Sequence, residues 1–83
     1  MRPMIQIQIT LTGIPSEVIG DSRMEYRILP GARCGELLAL MLAKRPALAE
    51  MAERFICLLN GRRVSLDTVL SDGDHLEISI RED

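Results

Sequence analysis

Two thiols and one imidazole are the side chains of this sequence best suited to nucleophilic, redox or metal chemistry: Cys34, Cys57 and His75. Cys34 comes just before the apolar run Leu37 to Ala43, which places it near a helix start, where the dipole would stabilise a thiolate. No base and no second thiol stand beside it in sequence, so the competing reading is a small apolar residue on the helix's core stripe. Cys57 lies among apolar neighbours in "FICLL" and reads as core or as part of an apolar sheet surface. The two cysteines are far apart, with no C-x-x-C pair and no disulfide framework. His75 follows "SDGD" and so flanks Asp72 and Asp74. A metal would need a second nitrogen or sulfur ligand, none is near in sequence, and Asp-Gly-Asp is ordinary turn chemistry. Ser16, Ser22, Ser65, Ser71 and Ser79 have a single histidine to share, and Gly31 and Gly35 lack the G-K-[ST] of a phosphate loop. The expectation is a chain with no catalytic residue, no metal ligand and no cofactor-binding residue, and therefore not an enzyme by itself.

The remaining candidate is a surface, and a surface needs a scaffold. The 83 residues allow one domain, 1–83. Hydrophobic residues make up 47% of the chain, yet Tyr26 and Phe55 are the only aromatics, so the core must be aliphatic. Net charge is −2 and the basic residues are scattered without aromatic platforms between them, which argues against nucleic acid as a partner. The start "MRPMIQIQIT" alternates instead of forming a signal peptide, and the longest apolar run falls far short of the ~20 residues that span a bilayer. A cytoplasmic protein without a membrane partner is expected.

"MIQIQITL" places Ile5, Ile7, Ile9 and Leu11 on one face of a strand. "TGIPSEVIGDS" reads as a loop, and "RMEYRIL" alternates again as a second strand. In "ARCGELLALMLAKRP" the helical period collects Cys34, Leu37, Leu38, Met41 and Arg45 on one side, and Pro46 ends the run. "PALAEMAERF" predicts an irregular turn or short helix. "FICLLNGRRVSL" is a strand, an Asn60-Gly61 hairpin turn and a short return. "HLEISI" is the last strand. The order ββαββ, with one helix covering one face of a mixed sheet, predicts an α+β domain. Apolar first and last strands suit central, adjacent, parallel positions, which is the β-grasp or ubiquitin-like roll.

The strings "LPGARCGELLALMLAKRP" and "LLNGRRVSLDTVLSDGDHLEI" resemble the family of the molybdopterin synthase small subunit and the thiamin sulfur carrier. That resemblance covers about Leu29 to Ile80. The block from Gly61 to Asp74 also resembles the RnfH-type ubiquitin-like proteins. The first resemblance implies a sulfur carrier whose slender C-terminal Gly-Gly is activated by an adenylating enzyme, or a small subunit held by a larger synthase subunit. In this sequence Arg81, Glu82 and Asp83 follow the last strand, and no residue matches the glycines. The family resemblance also implies a serine or threonine cap where Arg33 stands. Arginine cannot accept a hydrogen bond from first-turn amides, so Arg33→Thr is expected to stabilise the domain by about 1 kcal/mol.

Strand Phe55 to Leu59 is apolar on both faces: Phe55, Cys57 and Leu59 on one, Ile56 and Leu58 on the other. One set must lie on the sheet face that the helix leaves open. The functional expectation is a protein-binding adaptor or small subunit that docks through Ile56 and Leu58, with Arg81, Glu82 and Asp83 beside them. The alternative is a sulfur carrier whose Gly-Gly is absent from this chain. Leu40 points off the helix's core stripe, and single exposed leucines are common.

Overall fold

A computed structural model describes residues 3–14 and 22–81. Most of the loop expected between Thr12 and Ser22 lies outside them, as do Glu82 and Asp83. The elements are β1 (Ile5–Thr12), β2 (Arg23–Ile28), α1 (Cys34–Lys44), a 3-10 segment (Pro46–Arg54), β3 (Phe55–Leu59), β4 (Arg62–Arg63) and β5 (His75–Ile80).

The five strands form one sheet in the order β2-β1-β5-β3-β4. β1 and β5 run parallel at its centre, pairing Ile9 with Leu76 and Leu11 with Ile78. β2 pairs antiparallel with β1, and β3 antiparallel with both β5 and β4. Strict alternation explains the central position of β1 and β5. Each sends three or more aliphatic side chains to one face, and Ile7, Ile9, Leu76 and Ile78 are no more than 1% exposed. Tyr26 and Ile28 extend that face from β2.

Cys34, Leu37, Leu38 and Met41 of α1 pack against it and are buried, as the helical period predicts. Arg45 departs from the expectation. It is the C-cap at φ −131° and ψ 74°, not a helical residue. The cause is Pro46, whose ring pushes the preceding residue out of the α region. The 3-10 segment that follows buries Leu48 alone.

The helix start also differs from expectation. Arg33 gives no side-chain cap, but the amides are not orphaned. Cys34 N–H donates to the Thr68 carbonyl at 2.8 Å, Gly35 N–H to Leu66 at 2.9 Å and Glu36 N–H to Arg33 at 3.0 Å. Glu36 Oε1 accepts from Arg33 N–H at 3.2 Å, and Arg33 Nη1 donates to the Asp67 carbonyl at 3.1 Å. The segment after β4 therefore does the work of a cap.

The two turns read from sequence form a single joint. Asn60 (φ 50°) and Gly61 (φ 87°) both lie in the left-handed region that a two-residue hairpin of this type requires. Asn60 Nδ2 donates to Asp74 Oδ1 at 2.9 Å, while its Oδ1 accepts from His75 N–H at 3.0 Å. Asp74 Oδ2 closes its own turn by accepting from Ser71 N–H at 2.8 Å. Asp72 Oδ1 accepts from Gln6 N–H at 2.8 Å, which stitches the turn to β1. The Asp-Gly-Asp motif is thus engaged in architecture.

A candidate docking face on the sheet

With α1 on one face, the register decides what the other face carries. Thr10 pairs with Arg23 on one side and Glu77 on the other. Glu77 pairs with Leu58, and Leu58 with Arg63. One row across the whole sheet therefore reads Arg23, Thr10, Glu77, Leu58, Arg63. The next row holds Thr12, Ser79 and Ile56. In the row beyond Thr10, Gln8 stands between Glu25 and His75. His75 Nε2 and Thr10 Oγ1 are 2.7 Å apart, with the proton's owner set by the tautomer.

The open set on β3 is Ile56 and Leu58. Phe55, Cys57 and Leu59 turn to the helix side, where Cys57 is buried and the other two pack on the core. Ile56 and Leu58 are each half-buried, side by side among polar and charged residues. Two apolar side chains on the open sheet face, with Arg63 and Glu77 on either side of Leu58, have the make-up of a small docking patch with a polar rim. Arg81 lies beyond β5, and its backbone is tied to the start of β3. Its N–H donates to the Arg54 carbonyl at 2.8 Å, and the Arg54 guanidinium donates twice to the Arg81 carbonyl, at 3.0 and 2.9 Å. Glu82 and Asp83 lie outside the described residues.

Leu40 is 47% exposed and shares a hollow of about 220 Å³ with Met4 and Leu29 on the helix side of the molecule. Among the described residues, no group of three or more His, Cys, Asp or Glu is placed to hold a metal ion.

Sequence reasoning did not place Cys34 and Cys57 in one core. The two, 23 residues apart, are buried on either side of the helix–sheet interface. Interaction with Cys57 and burial push the Cys34 thiol up. Interaction with Cys34 draws the Cys57 thiol down against the opposing effect of burial. The signal was present in principle: Cys57 shares the parity of the core-facing residues of β3, and Cys34 begins the buried stripe of α1.

The sheet order and single covering helix define the chain as a β-grasp protein of the ubiquitin-like class. Solved structures of that class superpose on it. The Haloferax volcanii HVO 2177 protein aligns with TM-score 0.83 at 22% identity, over 96% of this chain and 86% of that one. The small archaeal modifier protein 1 of Haloferax volcanii gives 0.79 at 20%, over 92% and 97%. A chain of the complex of subunits 1 and 2 of the molybdopterin-converting factor of Helicobacter pylori gives 0.70 at 20%, over 95% and 97%. At these identities the likeness is one of fold. No curated protein matches. The family model of the ThiS family matches residues 9–78, and the chain belongs to that family. Among the described residues no helix is long and apolar enough to cross a membrane.

Proposed function

We propose that this chain is a non-catalytic, protein-binding member of the ThiS family that docks through the open face of its sheet, as an adaptor or small subunit. The observation that supports it is the pair Ile56 and Leu58. Two neighbouring apolar side chains on the sheet face opposite the helix contribute little to the core, and burial against a partner would reward them at about 25 cal/mol per Å² of apolar area. Arg63, Glu77 and Arg23 in the same row would fix orientation and discriminate between partners. A larger synthase subunit is a partner of the right kind, since the Helicobacter pylori structure holds subunit 1 against subunit 2. The test compares the full chain with Ile56→Asp and Leu58→Asp in its native cells. Partners cross-linked to the parent chain should be lost from both variants while circular dichroism stays unchanged. If both variants keep every partner, the docking face is elsewhere.

Family membership supports a second reading, a sulfur carrier whose terminus is activated by an adenylating enzyme. Incubation with ATP, a cognate adenylating enzyme and a sulfur donor, followed by intact mass, separates the two. A C-terminal thiocarboxylate favours the carrier, and an unchanged mass favours the adaptor.

A further inference from the structure

The sheet has two edges, and they are unlike. β4 is two residues long, Arg62 and Arg63, and both are exposed. β2 is six residues long, and among the described residues no strand pairs with its outer side. The ladder to β1 fixes which backbone groups that side presents. Leu11 N–H donates to the Ser22 carbonyl at 2.8 Å, so the hydrogen-bonded pairs of the ladder are Ile9 with Met24, Ile7 with Tyr26 and Ile5 with Ile28. The N–H and C=O groups of Glu25 and Arg27 point outward instead, and such an edge is a template for another strand. The exposed side chains of the same two residues carry opposite charges that β1 does not answer. Glu25 stands opposite Gln8 and Arg27 opposite Gln6.

We infer that this chain pairs with a second copy of itself, β2 against β2 and antiparallel, in a register centred on Tyr26. Both helices then cover the same face of one continuous sheet. In that register Glu25 falls opposite Arg27 of the second copy, and the two-fold axis repeats the pair. Each pair exchanges both of its backbone hydrogen bonds and sets a carboxylate beside a guanidinium. Neighbouring registers are worse. Centred on Glu25, the strands set Glu25 against Glu25 and Arg23 against Arg27. Centred on Met24, half of the overlap runs past the start of the strand. On the helix side, Met24 of the second copy falls opposite Ile28, beside the hollow of about 220 Å³ lined by Ile28, Leu29, Leu37 and Leu40. Lys44 lies over the Tyr26 ring at 5.2 Å, so an ammonium group from each copy approaches the axis and works against association. Tyr26 and Ile28 are already buried in the single copy, so the backbone ladder and the charge pairs carry the contact, and it is weak and reversible. The assembly closes at two copies, because the remaining edges are short and carry only arginine. Ile56 and Leu58 lie two strands away from β1, on β3, and stay open in the dimer. The inference therefore does not rest on the docking reading.

The experiment measures sedimentation of the folded full chain up to about 1 mM, where a contact with a Kd of about 1 mM is half assembled. The mass should rise from monomer to dimer and no further. Amide exchange followed by NMR should show Glu25 and Arg27 gaining protection with concentration, while Met24 and Tyr26, already bonded to β1, stay unchanged. Glu25→Arg and Arg27→Glu each turn both charge pairs repulsive and should weaken the dimer by roughly tenfold or more. Mixing the two variants makes both pairs attractive again, so the mixture should form a dimer at concentrations where neither variant does alone. Ile56→Asp and Leu58→Asp should leave the dimer intact, which separates this contact from the docking face. The concentration-dependent protection of the parent chain decides the matter alone should a variant unfold. A chain that stays monomeric throughout, assemblies larger than a dimer, or a dimer that Arg27→Glu leaves unchanged or tightens would each overturn the inference.

Discussion

Replacing Asn60 separates the hydrogen bonds of the hairpin joint from its backbone geometry. Asn60→Ala removes the donor to Asp74 Oδ1 and the acceptor for His75 N–H. At an exposed site each is worth about 0.5–1.5 kcal/mol, with water replacing part of the loss. Alanine must also hold φ near 50°, which costs about 1 kcal/mol more than asparagine or glycine. The sum is about 2–3 kcal/mol, a large part of the roughly 8 kcal/mol typical of a domain this size. Asn60→Gly loses the same hydrogen bonds without the backbone cost, so it should lie about 1 kcal/mol above the alanine variant. Asn60→Asp keeps the acceptor for His75 but sets a carboxylate against Asp74. Adding Asp74→Asn to it rebuilds the pair with donor and acceptor exchanged, and leaves an amide oxygen for Ser71 N–H. Urea unfolding measures all of these, with midpoints shifting at constant slope. A double variant less stable than the sum of its parts, or alanine and glycine variants with equal midpoints, would refute the division into hydrogen-bond and φ contributions.

Other substitutions test the helix start and the sheet face. Arg33→Thr should change stability by less than about 0.5 kcal/mol, because the first-turn amides are already bonded to Thr68, Leu66 and Arg33 and the new hydroxyl replaces the Asp67 contact; a gain of a full kcal/mol in urea unfolding would mean those backbone bonds do not form in solution. Gly35→Ala should stabilise by up to about 1 kcal/mol, since the new methyl meets Leu66 Cβ and its carbonyl at an ordinary 3.4 Å and the helix gains a better former; a lower melting temperature would show that Leu66 cannot give way. Leu58→Asp should cost less than about 1.5 kcal/mol and leave a cooperative melt, because Leu58 is half-buried with Arg63 beside it to offset Glu77.

Whatever had a local period was legible in the sequence. Ile5 to Leu11 and Leu76 to Ile80 alternate, so their strands, their inward faces and their parallel central placement followed from the pattern. The Asn60-Gly61 turn followed from two residues that tolerate positive φ. What was not legible depended on partners far along the chain. Arg33 looked like a lost cap because the carbonyls that serve the helix come from residues 66 and 68, and no pattern near residue 33 announces them. Arg45 fitted the helical period but was displaced by the proline after it. The common burial of Cys34 and Cys57 was hidden by 23 residues of separation and by an undecided face for β3.

That face is the point on which the docking proposal turns. A strand that is apolar on two sides has no preferred orientation from its own sequence, and its neighbours must choose. The choice is made by register: Leu59 opposite Leu76 and Cys57 opposite Ile78 bring β3 into line with the buried side of β5. A slip of one residue would bury Ile56 and Leu58 and expose Cys57, removing the docking patch. The Asn60 joint holds β3 against that slip, because Asn60 is bonded to Asp74 and His75 at the mouth of β5. A variant that loosens this joint without unfolding the domain should therefore weaken partner binding, although Asn60 is not part of the docking patch.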